Sequence, residues 1–262
     1  MTSTTSTTRT RFDRERHVKY FAHHLLHLPY PYSSLDTNRL TLVHFAAHAL
    51  EMLGVWDDDD VLTNQLGLNK QVIIEWIYNL QIIDPSDTHS DDHGGGGAGF
   101  TGGTFLGVPF GYSSSTTSNS NSFHDTHSAW RQYHHGHIAM TYTALATLTL
   151  LGDDLSGVDK QGILHAMKPL QRPDGSFKCI PLGSEHDTRF LFCACAISYM
   201  LHDWSAVDID KACDYIHKCR SFDGGIALIP GQVRLCLCTL YTCVCVMVMV
   251  MTFVSFFCFG FI

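Results

Sequence analysis

The sequence predicts an all-α protein built from repeated helix pairs, on three observations. A 49-residue internal repeat is present, helical apolar stretches end in glycine turns, and strand-like alternation is nowhere sustained. Ser156, Asp159 and Gly175 recur as Ser205, Asp208 and Gly224, each 49 positions later, so the two units hold register throughout. Helix pairs repeating at this length must stack to bury their apolar faces, as an open solenoid or as a closed α/α barrel.

Residues 1–13, rich in Ser, Thr and Arg, lack the apolar run of a secretory signal and read as a disordered lead-in to a cytoplasmic protein. Thr37 to Leu53 reads as a helix closed by Gly54. Lys70 to Gln81 matches Lys160 to Gln171 at an offset of 90, making a third copy of the unit. Its surplus length falls on a Gly/Ser/His-rich insertion at about 85–135, whose HGGGGAG and SSSTTSNSNS tracts are expected not to pack. Gly136 to Leu151 and Asp187 to Leu201 are further helices, the second with Asp187 as its cap. Ser156 with Asp159, and Ser205 with Asp208, read as acidic relatives of a capping box. In it the Ser oxygen takes an orphan amide and the carboxylate faces the positive helix end.

Composition narrows the function. With 45% hydrophobic and 16% charged residues, the chain has material for one large core. A net charge of -8 with no basic run excludes a nucleic-acid surface. Cys179, Cys193, Cys195, Cys213 and Cys219 lie in apolar helical patterns without C-x-x-C spacing and read as buried free thiols. The His clusters at 23–24, 124–127 and 134–135 lack partners at metal-ligand spacing, so no metal is assigned to them. Asp57 to Asp60 reads as a solvated loop.

Four stretches stand in order: Gly136-His137-Ile138-Ala139-Met140-Thr141-Tyr142, Leu170-Gln171-Arg172-Pro173-Asp174-Gly175-Ser176-Phe177, Asp187-Thr188-Arg189-Phe190 and Ser221-Phe222-Asp223-Gly224-Gly225. Together they resemble successive repeats of protein prenyltransferase β subunits. The resemblance runs from about Arg14 to Gln232. It implies an α/α barrel (toroid) around a central apolar cavity, incomplete at its C-terminal end and paired with a prenyltransferase α subunit of helical repeats. Thr41, within Asn38-Arg39-Leu40-Thr41, stands where farnesyltransferases carry a Trp that shortens the lipid pocket. The resemblance therefore points to the type I geranylgeranyl branch. That branch transfers a C20 group from geranylgeranyl diphosphate to the cysteine of CaaX-box proteins, with Zn2+ as cofactor.

By the same resemblance, Thr41 and Phe45 line the pocket for the lipid and the final CaaX residue. His137, Ala139 and Phe190 contact the C-terminal residue of the protein substrate, Tyr142 sits at the deep end of the lipid pocket, and Arg189 lies beside isoprenoid and peptide. The residues themselves also admit plainer roles. Phe45 fits a core position and His137 a helix cap. Arg189, costly if unpaired among apolar neighbours, fits an ion pair with Glu185 or Asp187.

In the family, the Asp, Cys and His that bind zinc, and the cationic set that holds diphosphate, lie beyond the point matching Gln232. Here Val233-Arg234-Leu235-Cys236 stands where Glu-x-His-Gly-Gly is expected. No catalytic residue and no metal ligand is retained by this transfer, and the chain is expected to be inactive alone. Residues 233–262 read as a non-family apolar tail. Leu235 to Ile262 carries no charge, which fits a membrane anchor. Translated intron is the preferred reading, because Gln-Val-Arg is what an in-frame splice donor encodes and the tail residues favour U at the middle codon position. A noncatalytic module that binds the α subunit is the second functional class. A terpene-cyclase-like barrel is the third, with Asp57 to Asp60 as its sole Asp-rich candidate.

Overall fold

A computed structural model describes residues 12–58, 61–83, 97–104, 135–181, 185–222 and 224–232. The lead-in to residue 11, most of the insertion, Asp59, Asp60 and the tail from 233 lie outside the described residues. Helices dominate, as expected. α1 (Arg14–Leu26) leads through a 3₁₀ segment (Tyr30–Asn38) into α2 (Arg39–Met52), and α3 spans Lys70–Tyr78. α4 (Ile138–Leu150), α5 (Lys160–Met167), α6 (Thr188–Leu201) and α7 (Ile209–Lys218) follow. The strands are two-residue clips: β1 (Gln81–Ile82) pairs with β2 (Gly99–Phe100), and β3 (Phe177–Lys178) with β4 (His186–Asp187), both antiparallel.

The helices form two layers. α2, α4 and α6 pack side by side in a row, with α1 against α2; α3 and α5 pack on α4 and α6. α4 is therefore covered on several sides, and its buried set of Ile138, Thr141, Thr143, Ala144, Leu145, Thr147 and Leu148 runs around the helix. α7 is one-sided, burying Ala212 and Tyr215 beneath a charged outer face.

The repeat in the sequence is a repeat of one contact. Gln81 Oε1 accepts from the Asp159 amide at 2.9 Å, and its Nε2 donates to the Gly157 carbonyl at 3.1 Å. Gln171 does the same one unit later, accepting from the Asp208 amide at 2.7 Å and donating to the Asp208 carbonyl at 2.9 Å. Each glutamine thus fixes the N-terminus of the next outer helix. The caps are the aspartates themselves: Asp159 accepts from the Gly162 amide at 2.9 Å and Asp208 from the Lys211 amide at 3.1 Å. This corrects the capping-box expectation. The Ser156 and Ser205 amides instead donate to Asp154 and Asp203, at 2.9 and 2.8 Å, in turns that precede the caps.

Two further features depart from expectation. Gly97 to Thr104, inside the insertion, is packed: Phe100 is fully buried, its amide donates to Thr141 Oγ1 at 3.0 Å, and the Gly102 carbonyl accepts from the Leu40 amide at 2.8 Å. Composition misled here, because glycine also marks close backbone approach. A Cβ on Gly102 or Gly103 would run into the Thr37 or Asp36 carbonyl. The second is α1, which brings Arg14 to the end of α2. Its Nε donates to the Leu53 carbonyl at 2.9 Å and its Nη2 to the Gly54 carbonyl at 3.3 Å, satisfying orphan groups of the helix end.

Glycine turns close the units. Gly175 has φ +94°, and a Cβ there would meet the Lys211 carbonyl of α7 as well as Tyr215 Cβ at 3.0 Å. Gly224, its counterpart with φ +81°, has nothing within 4 Å of such a Cβ. Gly175→Ala therefore combines backbone strain with a clash between repeats, and is expected to cost about 3 kcal/mol or more; Gly224→Ala carries the strain alone, about 1 kcal/mol. Thermal melts of the two variants check the ranking, and equal losses would contradict it.

Candidate functional site

The row of α2, α4 and α6 brings the seven candidate residues onto three adjacent helices. At its near edge, Thr41 on α2 donates its hydroxyl to Met140 Sδ on α4 at 3.5 Å. One turn on, the Tyr142 ring stands edge-on to His44 of α2 at 5.7 Å and to Phe192 of α6 at 5.2 Å between centroids. Thr41 and Tyr142 are thus joined through Met140 and His44. Phe45 lies four residues beyond Thr41, hence on the same face of α2, and is 63% exposed. It is not a core residue. Met52, one heptad further, is 87% exposed, so this face of α2 offers apolar surface to solvent.

The helix starts gather a second group. His137 is the N-cap of α4, its Nδ1 accepting from the Ala139 amide at 3.2 Å, and its ring meets Phe190 edge-on at 6.2 Å. Burial lowers the His137 pKa, opposed by Glu185, so the ring is neutral and keeps its capping lone pair. Ala139 packs against the core and Phe190 is buried. Arg189 is bound by Asp187 at 2.6 Å and Glu185 at 2.7 Å, and its guanidinium carbon lies 5.3 Å from the Phe190 ring centre. The hydrogen bond to Asp187, then its charge, hold the Arg189 pKa up. Asp187 simultaneously caps α6 through the Arg189 amide at 2.8 Å. For His137 and Arg189, then, the plainer roles of cap and ion-pair partner are the ones seen in the structure.

Three neighbours escaped the sequence reading. Met140 and Phe192 are partners of Thr41 and Tyr142. A spacing of 50 between the inner helices would have aligned Phe192 with Tyr142, but the 49-residue repeat points to Leu191. His44 is the third. It is buried, and its Nδ1 lies 3.2 Å from Thr147 Oγ1. That hydroxyl spends its proton on the Thr143 carbonyl at 2.7 Å, so His44 Nδ1 is the donor.

Among the described residues no group of three or more His, Cys, Asp or Glu is gathered to hold a metal. Burial pushes the Cys193 and Cys195 thiols up to about 12 and Cys219 up to about 11, away from the thiolate a metal requires. These residues do not fit a zinc site. The five cysteines of the body are free, as expected, and all but Cys213 are buried. No described helix is long and apolar enough to cross a membrane. A separate small apolar cleft, walled in part by Ala98, Met167, Leu170 and Ile197, is lined by none of the seven candidates.

Known proteins were compared with this chain. A family model described as the prenyltransferase alpha-alpha toroid domain matches residues 12–251, reaching into the apolar tail. The geranylgeranyl transferase type-1 subunit beta of Arabidopsis thaliana is 38% identical over 221 residues, covering 84% of this chain and 52% of that protein. Its counterpart from Dictyostelium discoideum is 35% identical over 221 residues, covering 84% and 58%. The solved structure of Candida albicans protein geranylgeranyltransferase-I complexed with GGPP superposes with a TM-score of 0.59 at 16% identity, covering 85% of this chain and 55% of that one. That likeness establishes the fold. The chain spans little more than half the length of these relatives.

His44 makes the site sensitive to acid. Burial, then the neighbouring His48, lowers its pKa from 6.5 to about 4. Between these values the unfolded chain binds the proton that the folded chain refuses, so stability is full above pH 6.5 and falls as pH drops toward 4. The loss amounts to about 3 kcal/mol at the low end. Urea unfolding from pH 7.5 to 4.5 should show that slope flattened in His44→Phe; an unchanged slope would contradict it.

Proposed function

Because the chain belongs to the prenyltransferase α/α toroid family, we propose that it acts as the β subunit of a protein geranylgeranyltransferase of type I. In this reading it contributes the lipid-length and peptide-end part of the site for transfer of a C20 group to CaaX cysteines. A helical α subunit is its partner, and geranylgeranyl diphosphate and CaaX-box proteins are the substrates. Zinc, when bound in the complete enzyme, supplies thiolate activation; the residues described in this chain do not hold it.

One observation carries the proposal. Phe45 stands 63% exposed on the face of α2 that also carries Thr41, its ring 5.6 Å from that of His44, which in turn meets the Tyr142 ring. An exposed aromatic between buried helices is surface that an isoprenoid would cover, at about 0.8 kcal/mol for each methylene withdrawn from water. Thr41 is small and half-buried, so the floor beside Phe45 stays open to a long chain. The ends of α4 and α6, with His137, Ala139 and Phe190, form the adjoining rim suited to an apolar peptide terminus. Arg189, braced by two carboxylates, is the polar edge of that rim.

One outcome follows for the chain paired with its α subunit. Thr41→Trp fills the floor, and is expected to weaken binding of a fluorescent C20 isoprenoid diphosphate at least about tenfold while sparing the C15 analogue. Equal losses for both would count against the assignment of Thr41.

A further inference from the structure

α2 carries two histidines one turn apart, and only His44 has a place in the site described above. A spacing of four puts His48 on the same side of the helix, and the two ring centres lie 4.1 Å apart at an interplanar angle of 51°. Both rings are held through the same atom. His44 Nδ1 donates to Thr147 Oγ1 at 3.2 Å, and His48 Nδ1 donates to the His44 carbonyl at 2.9 Å. With the proton on Nδ1 in each neutral ring, Nε2 carries the lone pair in each. Neither Nε2 has a hydrogen-bond partner among the described residues.

Histidines that ligate metals are fixed in this way: the other ring nitrogen donates to a protein oxygen, so that ring and tautomer are set before the ion arrives. His44 is buried and His48 half-buried, which keeps the two lone pairs together at the edge of the helix row. His23 and His27 repeat the spacing on α1, but their rings stand 5.5 Å apart, both are exposed, and no described bond fixes either ring. The α2 pair offers two donors, with no third His, Cys, Asp or Glu gathered to it among the described residues. A closed four-ligand zinc site is therefore not formed there. Two imidazoles with open positions for water instead suit Ni2+ and Cu2+, which accept tetragonal nitrogen and oxygen sets.

We propose that His44 and His48 form a chelate site for a divalent transition cation of the imidazole-preferring class, Ni2+ or Cu2+, bound through the two Nε2 atoms with water completing its coordination. The site stands independently of the lipid reading. It adjoins that site all the same, because the Phe45 ring lies 5.6 Å from the His44 ring.

The test is titration of the full chain with NiCl2 at pH 7.5, followed by thermal melts. The two donors are brought together by the folded α2, so saturating Ni2+ is expected to raise the melting temperature by about 3 °C or more. Mg2+, which takes oxygen ligands, should give no shift. His48→Gln should abolish the Ni2+ shift and weaken Ni2+ binding at least about tenfold, since the chelate is lost. Without metal that variant should melt within about 2 °C of wild type. His23→Gln/His27→Gln should keep the wild-type response. The wild-type chain supplies a reading that needs no variant: paramagnetic Ni2+ should broaden the imaging-free imidazole proton resonances of His44 and His48 in NMR spectra before those of other histidines. No Ni2+ shift in the wild-type melt, an undiminished shift in His48→Gln, or first broadening at other histidines would each overturn the site. Loss of the shift in the α1 variant alone would move the ion to His23 and His27, and overturns it too.

Discussion

Gln171 reaches across 37 residues to take both polar groups of Asp208, and Asp208 in turn caps α7. Gln81 makes the equivalent bridge to Gly157 and Asp159 ahead of α5. A helix start exposes amides that must find acceptors, and here the preceding repeat supplies one. The bond therefore joins secondary structure to stacking: an outer helix cannot shift along the row without losing its own anchorage. Gly175 tightens the same joint by letting the turn touch the Lys211 backbone. With the outer helices pinned, α2, α4 and α6 are held side by side, and the apolar face they share is fixed.

That face is tuned by polar groups between its helices. His44 donates to Thr147, Thr147 to the Thr143 carbonyl, and Thr41 to Met140, so α2 and α4 are keyed to one another by side chains of intermediate polarity. Such keying gives register at some cost in acid tolerance, because a buried imidazole without an acid partner resists protonation. Tyr142 then bridges to Phe192, carrying the alignment across to α6. Asp187 serves two needs at the start of α6, as helix cap and as Arg189 partner. The rim and the lipid floor are consequently set by the same three helices.

Much of this was legible in the sequence because it depends on recurring residue types at fixed spacing. The glutamine, aspartate and glycine of each unit repeat together since the contact they make repeats. The caps were half legible: the positions were marked, but the donor-acceptor pairing went to Asp159 and Asp208 and left the serines in turns. The packed glycines at 97–104 were hidden, because a low-complexity stretch reads alike whether it lies in solvent or threads between two helices. α1 was hidden for another reason: it buries only Val18 and Ala22, too few residues to mark a helical period. At the site, Thr41, Phe45 and Tyr142 came from resemblance. Met140, His44 and Phe192 came only with the packing of α2, α4 and α6, which no single-helix pattern encodes.

The central claim is that the shared face of α2, α4 and α6 receives a C20 isoprenoid. Photolabelling the chain, paired with its α subunit, with a diazirine-bearing geranylgeranyl diphosphate and mapping the modified peptides addresses it directly. The account predicts label within 41–52, 138–150 and 188–201, displaced by unlabelled geranylgeranyl diphosphate. Label confined to the cleft walls around 163–170, or to residues beyond 232, would contradict it.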